Sequence, residues 1–280
     1  MKKFLITIIL ILTLIFLFFF WGGTVLTKMS IENKISSLKD SINFSNEVLY
    51  THSILEEQPE LIRQYFKSTI ADSVSIPKFI TVNQSAQFKT DLKSEWMPLT
   101  ATQYFTTESP NFLWVSEMQN SNFFWVNAID SYIKGKGNML IKFNSSITIA
   151  DSWGLELDKS GLFRYISEAV LFPTKLLPSK NLFWNVLDSN IAEIKFTDGE
   201  ISVVAKLFFN KQNLIERIET FDKYRALDNG YERSLYTIYL TDYKNVENKF
   251  TIPTYIEVEW QLPTGKFKYG KFNIDSVKYE

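Results

Sequence analysis

The sequence predicts an α+β fold that is mainly antiparallel β: a strongly curved sheet or incomplete barrel with a few packed helices, preceded by one N-terminal transmembrane helix. Three observations predict it. Residues 4–26 form an apolar run without a single charge. From about residue 80 the hydrophobic pattern switches to a period of two and keeps returning in short segments. Only three later stretches carry helical spacing.

The apolar run comes first. At about 1.5 Å per residue it is long enough to cross a hydrocarbon core about 30 Å thick. A secretory signal has an apolar core of only about 7–15 residues, followed by small residues at a cleavage site. Here the run is bulky, ends in Phe18-Phe19-Phe20-Trp21, and meets no such site. The expectation is an uncleaved signal-anchor over residues 1–28, with Trp21 near the headgroups and Lys2 and Lys3 on the cytoplasmic side. Lys28 on the other flank keeps the charge asymmetry modest. The protein is then a single-pass protein of the cell membrane, with everything beyond residue 28 extracytoplasmic.

Residues 29–58 read as a helical linker or stalk. Ser30 is a candidate cap, and Ile31, Ile35, Leu38 and Ile42 fall on one helical face that suits packing on the domain. Pro59 suits the first position of a helix over 59–70, where its missing N–H is not needed, and Glu60 suits the positive end of the helix dipole. Leu61, Ile62, Tyr65, Phe66 and Ile70 supply its buried face. Strands are expected at 80–89, 99–107, 111–118, 123–133 and 138–150, then at 183–189, 191–198, 200–210, 214–222, 234–243, 254–262 and 266–279. Turn residues separate many of them, Asp198-Gly199 most clearly. Such regular spacing implies antiparallel meanders, and a sheet this large curls or closes. Residues 158–178 interrupt the pattern. There Ser160 is a candidate cap for a helix bearing Leu162, Phe163, Ile166, Ala169 and Val170 on one stripe, stopped by Pro173. Residues 59–280 are read as a single β-rich extracytoplasmic domain.

Composition narrows the chemistry. With 30 basic and 31 acidic residues and no long run of one sign, the chain offers no nucleic-acid surface. With no cysteine and one histidine, it has no disulfide, no thiolate metal site and no zinc site built on several histidines. His52 reads as a solvated linker residue. Asp151, Glu156 and Asp158 lack the spacing of a calcium loop and read as a solvated turn. The Gly135/Gly137 loop lacks the Gly-Lys-Ser/Thr of a phosphate loop and reads as a hairpin. No cofactor or metal is expected, and the enzyme reading is the weaker one. Aromatic residues make up 16% of the chain, which points to an aromatic core or a ring-lined cavity.

Several words resemble a bacterial domain-of-unknown-function family. They are Pro59-Glu60-Leu61-Ile62-Arg63-Gln64-Tyr65-Phe66, Trp96-Met97-Pro98-Leu99-Thr100-Ala101-Thr102-Gln103-Tyr104 and Pro110-Asn111-Phe112-Leu113-Trp114. Asp130-Ser131-Tyr132 before Gly135-Lys136-Gly137-Asn138-Met139 follows, then Arg164-Tyr165-Ile166-Ser167-Glu168-Ala169 running into Phe172-Pro173-Thr174. Trp184 and Glu257-Val258-Glu259-Trp260 complete the series, which covers most of residues 59–280. The resemblance implies no activity. At the level of fold the expected shape is similar to that of curved-sheet lipoprotein carriers.

The candidate ligand-binding residues are Arg164, Glu168 and Arg63, with Trp96, Tyr104, Trp114, Tyr132 and Trp184 as ring-bearing walls. An Arg in an aromatic cavity anchors a carboxylate or phosphate through its planar fork. The competing reading is an Arg164–Glu168 pair that merely fastens the central helix to the sheet. The expected function is binding of an apolar or amphipathic ligand, lipid included, in the curved sheet. On that reading, Arg164→Ala releases ligand without unfolding the protein. The alternatives are a structural module that docks an envelope protein, and a hydrolase or transferase that works through carboxylates.

Overall fold

The computed structural model describes residues 2–119, 124–227 and 229–280, without the side chains of residues 12–21. Helix α1 spans Lys2–Asp40, α2 Glu60–Thr69 and α3 Leu155–Glu168. Strands β1 (Leu49–Tyr50) and β2 (Val74–Ser75) pair with each other. Ahead of α3 come β3 (Phe79–Phe88), β4 (Met97–Thr106), β5 (Asn111–Gln119), β6 (Trp125–Ile133), β7 (Lys136–Phe143) and β8 (Ile147–Trp153). After it come β9 (Leu182–Asp188), β10 (Ile191–Asp198), β11 (Ile201–Phe209) and β12 (Ile215–Thr220). A separate hairpin, β13 (Tyr224–Leu227) and β14 (Gly230–Arg233), precedes β15 (Tyr236–Val246), β16 (Phe250–Leu262) and β17 (Gly265–Tyr279).

Thirteen strands form one antiparallel sheet in the order β8-β7-β6-β5-β4-β3-β17-β16-β15-β12-β11-β10-β9. Its edges, β8 and β9, do not pair, so the sheet is not a closed barrel. It is strongly curved all the same. Helix α3 packs on β6, β7 and β8 and also on β11, nine strands from β7 in the sheet order. At about 4.8 Å per strand, a flat sheet would hold β7 and β11 roughly 43 Å apart, far more than one helix diameter of about 10 Å. The sheet therefore wraps around α3.

Strand alternation sets the two faces. Ile80 and Val82 on β3, Phe105 on β4, Phe112 on β5 and Tyr132 on β6 point inward and are fully buried. From α3, Leu162, Phe163, Tyr165 and Ile166 fill the space between them. The Phe105 ring lies 4.8 Å from Phe172, and Tyr165 stacks on Phe196 at 6.1 Å. Much of the aromatic excess is thus packing around this helix, each such pair adding about 0.5–1.5 kcal/mol beyond its buried area. Helix α2 buries Leu61, Ile62, Tyr65 and Phe66 as expected, together with Thr69, and lies against β16; Ile70 is buried just beyond its end.

The outer face has its own small core. Leu38 and Ile42 at the end of α1 and just beyond it cluster with Phe79, Leu113 and Ile129, and Ile31 and Ile35 pack beside them. Further up α1, Thr27 Oγ1 donates to the Ser145 carbonyl at 2.6 Å, and Lys142 Nζ donates to Thr27 Oγ1 at 2.7 Å. Helix α1 therefore runs across the back of the sheet, from β3 to the β7–β8 turn.

Some local expectations need correction. Ser30 does not cap a separate helix; it lies inside the continuous α1. Helix α2 starts at Glu60, with Pro59 in the cap position. His52 is not a solvated linker residue: its Nε2 lies 2.9 Å from the Ile70 carbonyl. The expected strand 138–150 is two strands, because Asn144 and Ser145 adopt φ of 48° and 58° and turn the chain. The expected strand at 123–133 begins at Trp125; Phe123 lies outside the described residues. Helix α3 begins at Leu155, so Ser160 is no cap: its buried Oγ accepts from the Tyr224 N–H at 2.9 Å and holds the β13–β14 hairpin. Among the described residues no helix is long and apolar enough to cross a membrane. The expected span, Trp21 included, falls largely on side chains outside that description.

Candidate functional site

Helix α3 stands on the β6–β7 hairpin through three residues spaced by three, which share one helix face. Asp158 comes first: it accepts from the Gly137 N–H at 2.7 Å and from Lys136 Nζ at 2.9 Å. It is buried, not part of a solvated turn. Gly161 comes second, pressed on the Tyr132 ring so closely that a Cβ would lie 2.9 Å from it. Arg164 is the third, its guanidinium donating to Asp130 Oδ2 at 2.6 Å. Tyr132 in turn donates to Asp198 Oδ2 at 2.8 Å, tying β6 to β10 across the curl.

Arg164 is the centre of a polar cluster on the inner face. Its Nε donates to Glu168 Oε1 at 2.9 Å, and its guanidinium lies 4.7 Å over the Trp114 ring and 5.3 Å from Phe112. Gln103 Nε2 donates to Glu168 Oε2 at 2.6 Å, and Trp114 Nε1 donates to Gln84 Oε1 at 3.0 Å. Val82, Gln103, Trp114, Asp130 and Met139 are cross-strand partners in one row from β3 to β7, so the sheet register assembles the cluster. Burial disfavours the charge on Arg164, but Glu168 and Asp130 outweigh it and hold its pKa above the ordinary value. Lys223 lies above, 5.6 Å over the Tyr236 ring. Burial lowers its pKa, and the nearby Asp130 and Glu168 carboxylates oppose that shift. Tyr236 and Tyr269 hydroxyls lie 3.0 Å apart beside it.

Although enclosed by the curl, Arg164, Asp130 and Glu168 keep 15%, 15% and 20% of their side-chain surface accessible. The next rows of the inner face carry Ala128, Ile141, Val126 and Phe143, with Met118 beside them, all half-buried. Apolar inner wall thus adjoins the charged cluster.

A second buried cation sits below the helix. Lys175, in the 3-10 turn Pro173–Leu176, donates to the Thr107 carbonyl at 2.7 Å, and burial pushes its pKa down to about 8. The unfolded chain holds that proton up to about pH 10.4. Between these values the unfolded state binds more protons, so stability gains about 1.4 kcal/mol per pH unit as pH rises. Thermal melts of the wild type and Lys175→Met between about pH 8 and about pH 9.5 are expected to show a gain larger in the wild type by about 2 kcal/mol.

The structure brings Arg164, Glu168 and Trp114 together and scatters the other candidates. Tyr132 lies under Gly161, away from the groove. Arg63 is on α2, paired with Glu60. Tyr104 points to the outer face, 6.1 Å from Phe79. Trp184 packs on Tyr65 and Phe66 and donates to the Leu176 carbonyl at 2.8 Å. Trp96 precedes β4 and lies under Lys89 and Lys271, at 5.2 and 4.6 Å. Gln84, Gln103, Asp130 and Lys223 complete the cluster without having been candidates. The first two carried a signal: each is a polar residue at an inward position flanked by apolar ones, as in Val82-Asn83-Gln84-Ser85-Ala86. Among the described residues no group of three or more His, Asp or Glu is placed to hold a metal ion.

No curated protein matches the chain. Among solved structures, a domain described as that of an outer membrane lipoprotein-sorting protein from Vibrio parahaemolyticus aligns with 11% identity and a TM-score of 0.46, covering 79% of this chain and 91% of that one. A family model matches over residues 48–272, and the chain belongs to the family of unknown function DUF6544.

Proposed function

We propose that the protein is a membrane-anchored extracytoplasmic binding protein for an amphipathic ligand, lipid in class, held in the groove above α3. One observation carries the reading: an apolar, half-buried stretch of inner wall ends at a charged cluster that stays partly accessible. An extended chain from Asp130 to Val126 runs along four residues of β6, about 13 Å at about 3.3 Å per residue. Each methylene sheltered there contributes about 0.8 kcal/mol. Arg164, already paired twice, positions the polar end together with Lys223 and the two tyrosine hydroxyls. The anchor of this reading is the charge-free run of residues 4–26.

The test is native mass spectrometry with solvent extraction on the detergent-purified full chain and on Ile141→Trp. Ile141 lies on the inner face one row beyond Asp130, and the indole there takes up room along the apolar wall. A lipid-sized adduct on the wild type and its loss from the folded variant are the expected results. Equal occupancy in both proteins, or a wild type that carries and accepts no lipid, overturns the proposal.

A further inference from the structure

On the binding reading above, the groove runs toward the end of the molecule from which α1 departs. The strand register places Phe88, Met97, Gln119, Trp125 and Phe143 at one end of β3 to β7, and Val126 and Phe143 are the last groove residues before it. The Asn144–Ser146 turn lies at this end, and α1 is fastened to it. Thr27 bonds the Ser145 carbonyl, and Gly23 approaches Ser146 so closely that a Cβ would overlap its side chain. N-terminal to that contact, α1 continues into the uncharged run.

The same end exposes apolar side chains from three separate connections. Leu92 in the β3–β4 loop is 51% exposed, Phe124 before β6 is 54%, and Ile147 and Ile149 on β8 are 44% and 59%. Beside Leu92, Trp96 lies beneath Lys89 and Lys271, an aromatic ring with basic neighbours. Apolar tips flanked by Trp and Lys suit the headgroup boundary of a bilayer, where the rings and aliphatic tips enter and the ammonium groups stay at the phosphates. At the opposite end the β4–β5 and β11–β12 turns carry polar residues such as Ser109 and Gln212, while Trp153 and Leu155 are exposed there at 59% and 70%.

We infer that this end of the domain rests on the membrane surface, so that the groove mouth opens onto the bilayer and takes its occupant from the adjacent leaflet rather than from water. The inference rests on the anchored, lipid-binding reading above. A helix leaving at the mouth fixes the distance: the wall at Val126 and Phe143 lies within a few residues of the point where the apolar run begins. The bilayer is the occupant of the exposed rim because it is the surface continuous with that run.

The chain has no cysteine, so single labels are simple to place. Full-length Leu92→Cys, Ile147→Cys, Ser109→Cys and Gln212→Cys, each carrying an environment-sensitive fluorophore, are reconstituted in vesicles of phosphatidylcholine and phosphatidylglycerol. Lipids bearing a nitroxide near the headgroup act as quenchers. Labels at 92 and 147 are expected to lose most of their fluorescence, and those at 109 and 212 none. Unquenched labels at 92 and 147 overturn the inference. Bound-lipid mass, measured on the same preparations, separates the two readings. Lipid present with an unquenched rim sinks only the membrane-facing mouth, while a quenched rim on a lipid-free protein sinks the binding reading and the entry route with it.

Discussion

Arg164→Met is expected to lower the unfolding free energy by about 3–5 kcal/mol, the cost of leaving buried charges without their partner. Asp130 and Glu168 both bond the guanidinium and lie within its reach on the inner face. Without it, two carboxylates are left side by side on the inner face without their shared partner. Urea melts of the full chain in detergent measure the loss, and a change under about 1 kcal/mol would contradict the assignment, because that is the range of an exposed pair. Replacing all three residues by apolar ones of similar volume is expected to restore much of the stability. The expectation that Arg164→Ala frees a ligand while sparing the fold is therefore withdrawn. On the proposed reading Arg164 would both fasten α3 and position the headgroup, so Ile141→Trp is the cleaner probe of binding.

The second large effect is at Gly137. Its N–H is held by Asp158, and its α-carbon lies against the Leu157 carbonyl, which a methyl group would overlap. Overpacking of this kind costs about 1–3 kcal/mol, and more when the obstacle is backbone. Gly137→Ala is expected to fall at or above the upper end and to loosen the start of α3, visible as faster amide exchange at residues 155–161. Gly199→Ala is the control. Gly199, unlike Gly137, has a positive φ, 57°, and nothing lies within 4 Å of the added carbon, so its alanine meets backbone strain and no clash. A Gly137→Ala protein as stable as the Gly199→Ala one would show that α3 does not stand on this hairpin.

Much of the sheet is legible in the sequence because period-two alternation is local. Strand 191–198 is read to the residue, and most others to within a few. The failures have local causes too. Asn144-Ser145 turns the chain without a glycine or proline, so no punctuation separates β7 from β8. The cap of α3 is Gly154 at φ 138°, and the acidic first turn, Glu156 and Asp158, reads equally well as a solvated cluster. The site is harder. Arg164 and Glu168 are visible as an i, i+4 pair, but Asp130 is thirty-four residues upstream and joins them only through register and curl. Tyr104 failed through parity: Gln103 and Phe105 face inward, both faces of β4 are covered, and nothing local says which face meets α3. The aromatic count left an aromatic core and a ring-lined cavity open, and many of those rings pack around α3.

The most direct measurement is location. A phospholipid carrying a photoactivatable group on its acyl chain is added to the full chain in vesicles, cross-linked by light, and mapped by peptide mass spectrometry. The account expects adducts on β5 to β7, at Met118, Val126, Ile141 and Phe143, that disappear when unlabelled lipid is in excess. Adducts confined to α1, with none on those strands, would contradict it.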